Sequence, residues 1–168
     1  MANRLPNPSR NQLAADRRKA RHYAMQALYQ WHMAGQALNE IEAQFQTDYD
    51  MTHVDKEFFH DLVHNIPAQI TALHELFEKH LDRKITDLDP IELCLLRMGS
   101  YELLRRIDVP YKVAINETIN LGKRFGATDG YRYLNGVLDR VAAECRAVEV
   151  AAEKKGKNIK PNKPDAAE

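Results

Sequence analysis

The chain has 168 residues, 44% of them apolar and 29% charged, with seven glycines and 24 basic against 24 acidic side chains. That suits one domain with a real core, and the scarce glycines and thinly spread β-branched residues favour helices over a sheet. No apolar run approaches the roughly 20 residues that span a bilayer, and the N-terminus has no signal-peptide core, so membrane and secreted classes are set aside and a cytoplasmic location is expected.

Residues 1–11 carry Pro6, Pro8 and several small polar residues, the composition of a disordered lead-in. A first helix is expected over about 12–33, where Ala20, Ala24, Ala27, Leu28 and Trp31 recur at helical spacing and Gly35 supplies a stop. Asn39 suits the cap of a short helix carrying Ile41 and Phe45. From Asp55, Phe58, Phe59, Leu62, Val63, Ile66, Leu73 and Phe77 mark a longer helix that Pro67 should kink or break. Asp89, Pro90 and Glu92 form the clearest start: a cap, a proline at the first helical position and a capping-box acid. Pro110 opens the next helix and Gly126 closes it. A last helix is expected over about 130–148. Residues 149–168, rich in lysine, read as a disordered tail around a helical domain over 12–148. The expected fold is all-α, a bundle of about six to seven helices. Cys94 and Cys145 fall in apolar helical stretches and read as thiols, not a disulfide framework.

Charge is unevenly distributed. Residues 4–21 hold six bases and one acid, whereas residues 40–89 hold twelve acids and four bases. A polyanion at the basic end and a basic protein at the acidic middle are the partners such asymmetry suits. Within the basic end, Arg17-Arg18-Lys19-Ala20-Arg21 places cations near a helix N-terminus, against the macrodipole. Guanidinium forks suit phosphate, and a solvated basic face is the plain alternative. Lys123, Arg124, Phe125, Tyr131, Arg132 and Tyr133 surround a glycine-punctuated connection. Rings interleaved with cations are what single-stranded RNA binding uses, although the same rings could be core.

Catalytic patterns are missing. There is no phosphate-binding Gly-rich loop and no nucleophile elbow, so the chain is read as no enzyme and as needing no cofactor. His60 and His64 are four apart on one helix, but the sequence offers no third ligand, and metal is set aside.

Several stretches in order carry a resemblance: Arg17-Arg18-Lys19-Ala20-Arg21 with Ala24 to Trp31, then Glu92 with Leu96-Arg97 and Tyr101-Glu102-Leu103. Asp108 to Glu117, Lys123-Arg124-Phe125-Gly126 and Asn135 to Asp139 follow. Over about residues 17–141 the chain resembles the NusB family of bacterial transcription antitermination factors. The resemblance implies two packed three-helix bundles. It implies pairing with NusE, also a small-subunit ribosomal protein, and binding to the single-stranded boxA element of nascent, notably ribosomal RNA, transcripts within the elongation complex. Homodimerisation is the alternative association. Carried over by position, Arg17, Arg18, Lys19 and Arg21 would meet phosphates, with Gln26 and Tyr29 on the same helix. Phe125, Asp129, Arg132 and Tyr133 would form a second RNA-facing segment. Glu92 would face NusE, which competes with its reading as a helix cap.

Overall fold

The structure, a computed structural model, describes residues 9–126 and 130–158. Among these residues it is helical throughout, with eight α-helices and one 3-10 turn at Ile85–Asp87. Helix α1 (Arg10–Ala34) starts on the Ser9 hydroxyl, which accepts from the Gln12 N–H. It stops at Gly35, whose φ of 64° is the left-handed conformation that glycine adopts without a Cβ penalty. Helix α2 (Leu38–Asp48) starts without a side-chain cap. Ala37, not Asn39, holds the cap position, because the helix begins two residues earlier than the Asn39 reading requires. Asp55 caps α3 (Lys56–Ala68), accepting from the Phe58 N–H at 3.0 Å.

The expected break follows Pro67. The chain leaves helical geometry at Gln69, with φ −115° and ψ 21°, and resumes as α4 (Ile70–Glu78). Proline near the end of α3 removes one donor and crowds the preceding turn, so the interruption falls there. Asp89 caps α5 (Pro90–Arg105), its carboxylate accepting from the Ile91 N–H at 2.8 Å. Helix α6 (Tyr111–Phe125) ends at Gly126, φ 107°, and α7 (Gly130–Cys145) follows.

These elements form two sub-bundles. Helices α1, α2 and α3 pack together, as do α5, α6 and α7, and α1 and α4 lie against α5. Helix α5 is the shared central element, with an unbroken buried run from Leu93 to Leu103. Gly99 permits its close approach to α7: a Cβ there would lie 2.9 Å from both methyls of the buried Leu138 and 3.2 Å from Thr118 Oγ1.

Two expectations about the ends change. The lead-in falls mostly on residues outside the described ones, but Arg10 and Asn11 already belong to α1. The tail is helical as far as it is described: α8 (Ala147–Asn158) continues beyond Arg146, and only residues 159–168 lie outside. Long-range partners hold α8. Glu149 accepts from the Tyr111 N–H at 2.9 Å, capping α6 where Pro110 has no side chain to do so, and Tyr111 donates its hydroxyl to Glu153.

Among the described residues, the buried Arg97 has no acid in contact with it. Arg97 donates to His74 Nε2 at 3.1 Å and to His32 Nδ1 at 3.2 Å, below the Trp31 ring. Burial and then the Arg97 charge lower the pKa of both histidines; at His74, Glu78 opposes this. The unfolded chain therefore takes up protons before the folded one. This contribution to stability is complete above the ordinary histidine value of about 6.5 and is lost as pH falls from there through the lower folded values. Urea midpoints are expected to drop between pH 7.5 and pH 5.5. His32→Gln combined with His74→Gln should flatten that slope, and an unchanged slope in the double variant would refute the assignment.

Candidate nucleic-acid interface

Helix α1 carries the site because its 100° step per residue divides it into two faces. Ala20, Arg21, Ala24, Met25, Ala27 and Leu28 are buried. Arg18, His22, Gln26, Tyr29 and Met33 recur three and four apart on another face, and none of them is buried.

Next to this stripe runs an open groove of about 580 Å³, with Gln26, Tyr29 and Met33 of α1 on one side. Phe45 and Tyr49 at the end of α2, Ile91 of α5 and Phe125 at the end of α6 complete it. A second depression, about 390 Å³, is lined by Arg18, Lys19, His22, Tyr23 and Arg124. The His22 and Phe125 rings join the two, tilted by 30° with centroids 5.1 Å apart. Burial, and then the charge of Arg124, lower the pKa of His22 and keep its imidazole neutral. Its enclosed Nδ1 finds no hydrogen-bond partner among the described residues. A basic entrance thus opens onto a floor of rings and apolar side chains. Phosphates suit the first part and unstacked bases the second.

The sequence-derived residues divide over this geometry. Gln26, Tyr29 and Phe125 share the groove, and Arg18 and Lys19 share the basic depression. Arg18 is held by Glu117 of α6 at 3.1 Å, with its side chain 59% exposed. Its partner Glu117 is only 14% exposed and is bonded through both oxygens, so an incoming phosphate must compete with this pair for the Arg18 guanidinium.

Arg21 does not lie on the outer surface. Its side chain is 4% exposed and donates to both carboxylate oxygens of Glu102, at 2.6 and 2.9 Å. The reason is helical register: Arg21 lies four residues before Met25 and seven before Leu28, both buried. Arg17 lies on the same side and is half-buried, bonded to Asp55 at 3.4 Å and Asp108 at 3.1 Å. Arg17, Arg21 and Arg106 surround the Phe58 ring, each with its guanidinium carbon 5.0–5.1 Å from the centroid. In this structure Arg17 and Arg21 tie helices together.

The second expected segment is split too. Lys123 Nζ and the Arg132 guanidinium lie 5.0 and 5.9 Å from the Tyr131 ring centroid, a cation–aromatic cluster. Tyr133 points elsewhere: Arg83 covers its ring at 4.4 Å, and its hydroxyl accepts from the Asp82 N–H at 3.2 Å. Arg83 also opposes burial and Asp89 at Glu92, whose carboxyl pKa is raised by those two. Asp129 lies outside the described residues.

His22 and Tyr49 were not singled out as binding residues from sequence, whereas Arg124 was marked there among the cations around the glycine-punctuated connection. The four-residue step from Arg18 through His22 to Gln26 was a signal for the first. Nothing local marks Tyr49, which reaches the groove only because α2 folds back on α1.

The NusB family profile matches residues 18–143. The chain belongs to the NusB family. It is 53% identical over 142 residues to the transcription antitermination protein NusB of Pseudomonas savastanoi pv. phaseolicola, covering 84% of this chain and 86% of the relative. It is 54% identical over 140 residues to that of Teredinibacter turnerae, covering 83% and 95%. Among solved structures it is similar to T. maritima NusB, with a TM-score of 0.67 and 26% identity, covering 80% of this chain and 96% of that one. The all-helical family fold expected from the sequence is therefore present. Among the described residues no helix is long and apolar enough to cross a membrane.

Proposed function

We propose that this NusB-family chain is a non-enzymatic transcription antitermination factor. It binds single-stranded boxA-type RNA of nascent, notably ribosomal RNA, transcripts together with NusE, and helps RNA polymerase resist termination. The observation that carries the reading is the basic depression of Arg18, Lys19 and Arg124 leading through His22 and Phe125 into the groove of Gln26 and Tyr29. The names of the relatives support the antitermination role.

In this reading Arg18, Lys19, Lys123 and Arg124 meet phosphates, and Tyr29, Tyr49 and Phe125 receive bases. Arg132 and Tyr131 extend the cationic edge. Arg17 and Arg21 act indirectly, by holding α1 in place. Glu92 is the residue that meets NusE.

Fluorescence anisotropy of a short boxA-type RNA tests the proposal, with this protein alone, with NusE alone and with both. The mixture is expected to bind more tightly than either component. With about four phosphates neutralised, the slope of log K against log salt should be near −3. Lys19→Ala with Arg124→Ala should make it shallower by about one to two. Phe125→Ala should weaken binding by a factor of about five or more at every salt concentration, because stacking contributes about 1–3 kcal/mol per base. No gain from mixing and a flat salt response would refute the proposal and favour a protein adapter or homodimer.

A further inference from the structure

We propose that Glu42 of α2 and His60 and His64 of α3 form a binding site for one divalent transition-metal ion of the zinc class, clamping the two helices together. The three offer one ligand atom each within 4.8 Å of one another. His60 Nδ1 lies 2.7 Å from Glu42 Oε1, and His64 Nε2 makes the corresponding contact with Oε2. The imidazole centroids are 4.3 Å apart. The i, i+4 spacing brings the rings side by side, and the packing of α2 on α3 aims a carboxylate between them.

Two imidazoles and a carboxylate are an established zinc donor set that leaves the fourth position to water. Imidazole nitrogen selects against magnesium and calcium, which prefer oxygen. Donors around zinc at about 2.0–2.2 Å lie about 3.4 Å from one another, so both histidine–carboxylate contacts must open slightly to admit the ion. His60 can supply that movement, since its side chain is 61% exposed, while Glu42 (14%) and His64 (23%) sit deeper. Without metal, protons on the imidazoles bridge to the carboxylate. Although burial pushes the Glu42 carboxyl up, hydrogen bonds from both histidines and their charge outweigh it and leave it below the usual range. None of the three residues lines the RNA-facing groove, so this site stands or falls independently of the proposed RNA binding.

Calorimetric titration of the full chain with Zn²⁺ near pH 7.5, and the visible absorption of added Co²⁺, test the site. One equivalent is expected to bind, with a tetrahedral cobalt spectrum. His64→Ala and Glu42→Gln should each weaken binding about tenfold or more, with unchanged far-ultraviolet circular dichroism, while His53→Ala leaves it intact. Three results would each overturn the proposal: no binding by the unaltered chain, binding untouched by both substitutions, or binding that Glu42→Gln leaves at full strength.

Discussion

Glu102→Ala is expected to destabilise the protein by about 3–5 kcal/mol, because it strands the Arg21 guanidinium in the core. Both side chains are almost fully enclosed, 4% and 1% exposed, and two short hydrogen bonds satisfy the pair. Removing one member leaves an uncompensated charge with no route to water. For a chain of this size each kcal/mol lowers Tm by about 2–4 °C, so a drop on the order of 10 °C is expected in thermal unfolding. Arg21→Ala should act in the same direction. Replacing both residues, Arg21→Met with Glu102→Leu, should recover much of the loss, since packed apolar side chains need no partner. A loss below about 1 kcal/mol for Glu102→Ala would show that water reaches the pair. Weak RNA binding by an Arg21 variant would accordingly report a damaged fold, whereas Arg18→Ala tests the surface alone.

Arg146→Met should cost about as much at a different joint. The Arg146 guanidinium donates to the carbonyls of Glu102, Leu103, Arg106 and Val109 at 2.8–3.1 Å, and to Glu149 at 2.7 Å. Those carbonyls belong to the end of α5 and the turn after it, where helical acceptors run out of intrahelical donors. Each bond to a charged donor contributes about 1.5–3 kcal/mol, and the acceptors left behind are largely buried, so a net loss of about 3–5 kcal/mol is expected. Arg146→Lys should recover little, because one ammonium cannot reproduce a planar fork that serves five acceptors. Denaturant midpoints give the size of the effect. Amide exchange at Tyr111, whose N–H is capped by the neighbouring Glu149, should accelerate in the methionine variant. Unchanged exchange there would show that α8 docks without Arg146.

Much of the fold is written in local pattern. Gly35, Asp55, Asp89 with Pro90, and Gly126 all act where capping chemistry assigns them, since a cap depends on residues two to four positions away. The apolar periodicity of α5 and α7 also identifies faces that are buried. Local pattern fails where the partner is distant. Arg21 looks like part of a basic outer surface until Glu102, 81 positions later, is brought against it. Helix α8 looks like a solvated lysine tail until Glu149 and Glu153 meet Tyr111, and His60 and His64 lack a third ligand until α2 presents Glu42.

The sequence by itself therefore determined the helical class, most helix boundaries, the family, and the groove residues Gln26, Tyr29 and Phe125, because spacing and capping are short-range properties. Only the tertiary structure decided which cations of α1 stay at the surface. Arg18 and Lys19 face outward, while Arg17 and Arg21 turn toward α3 and α5, because one helical turn carries side chains to both faces and packing chooses which of them is enclosed.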